Sequence, residues 1–195
     1  MRSATIARTR PDGGAPAAAR LAAITPERTR NLVLLLGDRR RDGQGRLWLR
    51  ARLPALRHRT GWVRRAALGG YEDVNTRLIV DRRRLRATLL RGGHVVFRAP
   101  IGVGAAATPT PAGDFYVRDR VTRYASATYG PLAFGTSARS AVLTDWPGGG
   151  FVGIHGTDRP GILPGRVSHG CVRMRNADVR RLGRLMPVGT PITIR

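Results

Sequence analysis

Residues 153–174 read Gly-Ile-His-Gly-Thr-Asp-Arg-Pro-Gly-Ile-Leu-Pro-Gly-Arg-Val-Ser-His-Gly-Cys-Val-Arg-Met. The apolar run Phe151–His155 predicts a strand, and the glycines and prolines of 156–165 exclude regular structure behind it. A tight Ser168-His169-Gly170-Cys171 turn follows. Cys171 is the chain's one cysteine, so no intramolecular disulfide framework exists. A thiol attacks carbonyl carbon only as thiolate, and an ordinary cysteine with pKa about 8.5 is mostly protonated at neutral pH. A nearby imidazole can take that proton and return it to an amine. His169 sits two residues before Cys171 on the same turn, so its ring need not face the sulfur. His155 comes from a strand end, and a fold that joins the two loops would bring it to the thiol. The expectation is therefore His155 as base and His169 as a shaper of the site.

The small residues fit the same chemistry. Gly170 permits a backbone that aims successive N–H groups at one point, so the amides of Gly170 and Cys171 are expected to hold a tetrahedral oxyanion. Gly156 leaves the backbone beside His155 unobstructed, and its carbonyl can hold the other ring nitrogen. Ser168 bonds either the turn's backbone or a substrate. Arg173 either grips a carboxylate in a forked geometry or is a surface charge. Taken singly, each residue has a plainer reading: a lone cysteine is usually a small buried hydrophobe, and a lone histidine a structural residue. A zinc site on His155, His169 and Cys171 lacks further ligands. His58 and His94 have no chemical neighbours and receive no role.

Outward from this stretch, strands dominate. Leu78-Ile79-Val80, Leu85–Leu90, His94–Val103, Phe115-Tyr116-Val117, Ala141-Val142-Leu143 and Thr190–Ile194 all read as strands, with Gly92-Gly93 turning a hairpin. One helix is predicted after the cysteine: Asn176 as its cap, Asp178 at its positive end, and Val179, Leu182, Leu185 and Met186 on one face. Residues 108–113, Thr-Pro-Thr-Pro-Ala-Gly, cannot be regular. Upstream, short apolar pieces such as Leu47-Trp48-Leu49 lie between turn residues over 31–75, which suits a small β module. Residues 1–30, rich in Ala, Arg, Pro and Gly, predict a disordered arm. Arginines at 2, 8 and 10 open it as an export signal would, but Leu32–Leu36 is too short for the apolar core of a readable signal peptide.

The chain has 195 residues, enough for one domain with or without an appendage, and a formal net charge of +23. Every basic residue is arginine, and residues 1–65 hold 16 of the 35 against four acids. Such a surface favours polyanions. The aromatic residues are few and not interleaved with the basic runs, so specific nucleic-acid binding is not expected, and Arg39–Arg41 and Arg82–Arg84 read as solvated charge. No apolar run reaches the ~18 residues of a transmembrane segment.

Together, Ile154-His155-Gly156-Thr157 and Ser168-His169-Gly170-Cys171-Val172-Arg173-Met174 resemble the L,D-transpeptidases of bacterial peptidoglycan, the YkuD-type catalytic domain. Thr108-Pro109-Thr110-Pro111-Ala112-Gly113-Asp114-Phe115, Tyr129-Gly130-Pro131 and Pro187–Ile192 fit the same family, over residues 76–195. Some members carry Asn where Arg173 stands. The resemblance implies a mainly β, sandwich-like catalytic domain with one short helix after the cysteine. It implies acyl transfer in which Cys171 attacks the third residue of a stem peptide and expels D-alanine, with His155 as base and then acid. A neighbouring stem's amine would then form a 3→3 cross-link, or water would make the same enzyme an L,D-carboxypeptidase. Arg173 and Thr157 would contact substrate, no metal or organic cofactor would be needed, and carbapenems would acylate Cys171. Peptidoglycan as partner implies an extracytoplasmic place in the cell envelope; the oligomeric state is left open. The piece Gly61-Trp62-Val63 ahead of Ala66-Ala67-Leu68 resembles the end of a bacterial SH3-like module, although an ordinary β extension fits the same residues. The other classes weighed are a non-catalytic wall-binding module and a basic nucleic-acid-binding protein.

Overall fold

The computed structural model describes residues 1–54, 59–122, 127–140, 142 and 150–195. Two sheets carry these residues. The first contains β1 (Thr5–Arg8), β2 (Ala17–Leu21), β3 (Leu34–Arg41), β4 (Leu47–Leu53) and β5 (Arg59–Arg64), antiparallel in the order β2-β1-β5-β4-β3. The second contains β6 (Thr76–Asp81), β7 (Arg86–Arg91), β8 (His94–Pro100), β9 (Gly102–Gly104), β10 (Gly113–Val121), β11 (Ala133–Arg139), β12 (Phe151–His155), β13 (Gly165–Ser168), β14 (Val172–Arg173) and β15 (Pro191–Ile194). Its order is β13-β9-β14-β12-β11-β10-β15-β6-β7-β8. The fold is mainly β, with a single α-helix, α1 (Asn176–Leu185), among the described residues.

Period-two burial explains the second sheet. Thr76, Leu78 and Val80 of β6 are buried, as are Ala87 and Leu89 of β7, while alternate positions face outward. Leu78, Leu89 and Phe97 from one end of the sheet share one core with Phe134, Ile154 and Val172 from the other. Residues that far apart in strand order meet only if the sheet curls on itself, the sandwich-like arrangement expected from the sequence. Helix α1 closes that core with Val179 and Leu182, and Met186 at its C-cap is buried too. Gly183 lets the helix approach closely, because a Cβ there would overlap Leu132 Cδ2.

The two sheets are joined by polar contacts of the backbone. Tyr116 Oη donates to the Leu32 carbonyl at 3.2 Å, and Arg52 Nη1 donates to the Asp114 carbonyl at 3.1 Å. Glu27 lies 3.6 Å from the buried Arg118 guanidinium.

Several expectations change. The arm expected to be disordered over 1–30 instead supplies β1 and β2, which pair from Thr5↔Leu21 to Arg8↔Ala17 and join β5 at Arg8↔Trp62. Ala7 and Leu21 are buried in the first sheet's own core. These strands are four and five residues long, and alanine and arginine give too weak an alternation to read without their partners. The strand expected from Leu85 begins at Arg86, because Leu85, at φ +49°, closes the turn instead. Asp81 Oδ1 accepts the Arg83 and Arg84 amides in that turn. The Gly92-Gly93 turn forms as expected, both residues having positive φ. Strand β11 is buried on both faces and built largely of small residues, so no alternation announced it. Ala141 and Leu143 of the expected strand Ala141-Val142-Leu143, and His58, lie outside the described residues.

Leu89 is fully buried where the two halves of the sheet meet. Leu89→Ala is expected to destabilise the protein by about 3 kcal/mol, the range for a large-to-small core change. Urea unfolding followed by circular dichroism measures this as a lower midpoint at unchanged slope.

Candidate active site

The turn that carries Cys171 is tied by side-chain oxygens. Ser168 Oγ donates to the Cys171 carbonyl at 2.6 Å and accepts the Gly170 amide at 3.1 Å. Gly170 has φ +124°, a conformation that side chains disfavour. From beneath, Thr110 Oγ1 donates to the Gly170 carbonyl at 2.8 Å and accepts the Gly104 amide at 2.8 Å. Thr108 Oγ1 donates to the Ser168 carbonyl at 3.0 Å. The irregular Thr108–Gly113 segment thus acts as a buttress for the cysteine turn.

The parallel pairing of β12 with β14 sets the geometry beside it. Ile154 lies opposite Val172 and His155 opposite Arg173. Ile154 and Val172 both point into the core, so the alternate positions, Gly153, His155 and Cys171, address the other face. The Gly153 amide donates to Cys171 Sγ at 3.3 Å. Strands about 4.8 Å apart that rise about 3.3 Å per residue leave His155 and Cys171 Cα atoms about 8 Å apart across the diagonal, a span two inward-leaning side chains can bridge.

His155 is 2% exposed. Its Nδ1 lies 2.6 Å from the Gly156 carbonyl. A carbonyl only accepts, so Nδ1 carries the hydrogen and Nε2 keeps its lone pair. The Tyr129 ring meets the imidazole edge-on, with centroids 4.8 Å apart and planes at 68°. Burial, with a smaller contribution from the Arg173 charge, pushes the His155 pKa down to about 4, although the Gly156 carbonyl works the other way. At neutral pH the imidazole is therefore uncharged and able to accept a proton.

The loop after His155 is clamped by Asn176. The expected helix cap does not form: Arg175 occupies the cap position with no side-chain bond. Asn176 lies inside the first turn, and its Oδ1 accepts the Thr157 amide at 3.0 Å. A Cβ on Gly156 would overlap that same oxygen and stand 3.1 Å from Gly130 Cα, so the need for glycine there is steric. Thr157 is buried, and its Oγ1 accepts the Arg159 amide at 3.1 Å.

The structure thus brings His155, Gly156, Ser168, Gly170 and Cys171 together around one strand pair. His169 is on the turn but exposed. Arg173 is half-buried beside His155, and its Nε is buried without a hydrogen-bond partner. Two expectations shift. The Gly170 amide, expected to face an oxyanion, donates to Ser168 Oγ instead. Thr157, expected at the substrate, has its amide and hydroxyl engaged in the loop. Sequence reasoning overlooked Gly153, Asn176, Thr110 and Tyr129 as site residues. Gly153, Thr110 and Tyr129 lie in segments quoted above, and Asn176 carries the signal of a helix cap. Among the described residues no three His, Cys, Asp or Glu side chains gather as metal ligands.

The pattern of the YkuD L,D-transpeptidase catalytic domain matches residues 75–194. The chain is 36% identical over 107 residues to the YkuD protein of Bacillus subtilis strain 168, an alignment covering 55% of this chain and 58% of that one. The chain thus spans less than two thirds of the length of that relative. Among solved structures, a mutant L,D-transpeptidase of Enterococcus faecium superposes with TM-score 0.50 at 24% identity, covering 62% of this chain and 50% of that one. An L,D-transpeptidase of Mycobacterium tuberculosis H37Rv superposes with TM-score 0.50 at 15% identity, covering 70% and 71%. Both superpositions speak for the fold.

The lowered pKa of His155 links stability to pH. The unfolded chain, with His155 near its ordinary 6.5, binds a proton that the folded protein refuses until about 4. The contribution is therefore present above pH 6.5 and is lost as pH falls from 6.5 to 4, up to about 3 kcal/mol. Asp119 acts in the opposite sense, because burial, then the Glu27 charge, raises it to about 6. The difference between wild type and His155→Gln isolates the histidine: urea midpoints from pH 7 to 4.5 are expected to fall more for wild type.

Proposed function

Since the chain belongs to the L,D-transpeptidase catalytic-domain family, we propose that it is a peptidoglycan L,D-transpeptidase in which Cys171 and His155 carry out acyl transfer. The observation that carries this reading is the β12–β14 register, with the Gly153 amide on the sulfur and the imidazole on the same face. His155 enters the reaction as a neutral imidazole. As Sγ attacks the carbonyl of the third stem residue, its proton passes to His155 Nε2, and the new imidazolium is balanced by the negative charge gathering at the reacting centre. The tetrahedral adduct collapses, the C–N bond breaks, and D-alanine leaves with that proton. His155, neutral again, takes a proton from the acceptor amine as it attacks the thioester. The C–S bond breaks, Sγ takes the proton back from His155, and a 3→3 cross-link is left; with water as acceptor, the outcome is carboxypeptidase hydrolysis.

The remaining residues take supporting roles in this scheme. The Cys171 amide, on the turn whose Gly170 amide is held by Ser168 Oγ, is the donor for the oxyanion. Ser168 and Thr110 hold the turn, while Gly156 and Asn176 hold the imidazole. Arg173, with an unpartnered Nε beside His155, is suited to a substrate carboxylate. No metal or organic cofactor enters the scheme. Such a substrate places the protein outside the cytoplasmic membrane, in the cell envelope, where a net charge of +23 favours contact with anionic wall polymers.

Incubation with a carbapenem followed by intact-protein mass measurement tests the assignment. One adduct is expected on wild type, none on Cys171→Ala, and acylation slowed at least about 100-fold on His155→Ala, the usual size of a general-base effect. An unlabelled wild type would favour a non-catalytic wall-binding module. The acid limb of the acylation rate is expected nearer pH 4 than 6.5, because the base stays neutral down to about 4. An acid limb left unchanged in His155→Gln would remove His155 from the role.

A further inference from the structure

Between the two sheets lies a cleft of about 670 Å³ that the acyl-transfer scheme does not use. Four arginines line it: Arg20 from β2, Arg59 from β5, Arg118 from β10 and Arg139 from β11. Arg20, Arg59 and Arg139 are exposed and, among the described residues, form no ion pair. Arg118 is 3% exposed, and both its Nε and Nη1 are buried without a hydrogen-bond partner. Its acidic neighbours are Asp119 and Glu27, the latter at 3.6 Å, longer than a hydrogen bond. Burying guanidinium N–H groups unpaired is costly, which marks the position as one that awaits an acceptor.

Phe151 connects this cleft to the cysteine. The Arg118 guanidinium carbon lies 3.9 Å from the Phe151 ring centroid and that of Arg139 4.4 Å, so one ring gathers two cations. Two cations on one ring raise the local positive potential, which a bound anion would lower. Phe151 also packs in one small cluster with Cys171 and Ala133. It stands two residues before Gly153 on β12, about 7 Å along the strand. The rest of the lining is largely apolar, with Ala19, Leu21 and Ile24 beside the arginines. Among the described residues that line the cleft none is acidic, so the lining is cationic.

We propose that this cleft is a subsite for the carboxylate of a peptide whose reacting group lies at Cys171, with Arg118 and Arg139 as its fork and Arg59 and Arg20 at its mouth. Planar guanidiniums suit a carboxylate, and the apolar lining suits the adjoining peptide side chains better than it suits a polyanion backbone. The subsite belongs jointly to both sheets, which gives the first sheet a part in substrate recognition. Only the nature of the peptide rests on the acyl-transfer reading.

Binding without turnover tests it. The Cys171→Ala protein is titrated by calorimetry with a stem-type tetrapeptide carrying free carboxylates, and with the same peptide fully amidated. Amidation is expected to weaken binding at least about tenfold. Adding Arg139→Gln or Arg59→Gln, both exposed positions that should leave folding intact, is expected to weaken the free-carboxylate peptide and leave the amidated one unchanged. Arg118→Gln is expected to do the same, with circular dichroism confirming that it folds. Equal binding of the two peptides, or indifference to Arg139→Gln and Arg59→Gln, would overturn the subsite. Tighter binding of inorganic phosphate or duplex DNA than of the peptide would overturn the carboxylate assignment. Carbapenem labelling of wild type is read separately: carboxylate-dependent binding without labelling keeps the subsite and removes acyl transfer, and labelling without such binding does the reverse.

Discussion

The two-residue parallel pairing of β12 with β14 is the contact on which the site depends. Ile154 and Val172 go inward together, so Gly153, His155 and Cys171 must go outward together. A slip of one residue would send the histidine or the cysteine into the core, since strand side chains alternate with period two. Nothing in so short a pairing is strong by itself. Its register is fixed by what lies on either side: the buried aliphatic pair beneath, and β11 and β9 on the flanks.

Around that pair, a few buried oxygens each satisfy groups that would otherwise be orphaned. Ser168 Oγ closes the cysteine turn by giving one hydrogen bond and accepting another. Thr110 Oγ1 does the same between the Gly170 carbonyl and the Gly104 amide. Asn176 Oδ1 holds the loop that presents His155. An unsatisfied buried polar group costs about 1–3 kcal/mol, so these bonds resist small displacements of the two reactive side chains. The same burial that makes the arrangement rigid excludes charge from the imidazole, which is why His155 rests neutral. Rigidity and the neutral resting state of the base are therefore two results of one desolvated environment.

The first sheet is more than a neighbour. It docks through Tyr116 and Arg52 to backbone carbonyls and brings Glu27 against Arg118. A positive charge as buried as Arg118 is uncommon, and here it sits at the seam where both sheets meet the Phe151 end of β12. The arginine-rich composition, diffuse over most of the surface, becomes organised at this seam.

Much of this was legible in the residues alone. The hairpin at Gly92-Gly93, the strand Phe151–His155, the helix after the cysteine and the Cys171–His155 candidates all rest on local patterns: period-two burial, turn glycines and one amphipathic face. The strands β1, β2 and β11 were not legible, because short or small-residue segments acquire their alternation only when partners bury them. Asn176 shows the limit most clearly. Its position beside a helix start suggested a cap, and its actual partner, the Thr157 amide, is nineteen residues away in sequence. Chemical identity is written residue by residue, so the sequence could nominate a nucleophile and a base. Which face each side chain took, which amides were already engaged and which charges were buried followed from strand register and desolvation, and those exist only once distant segments have packed.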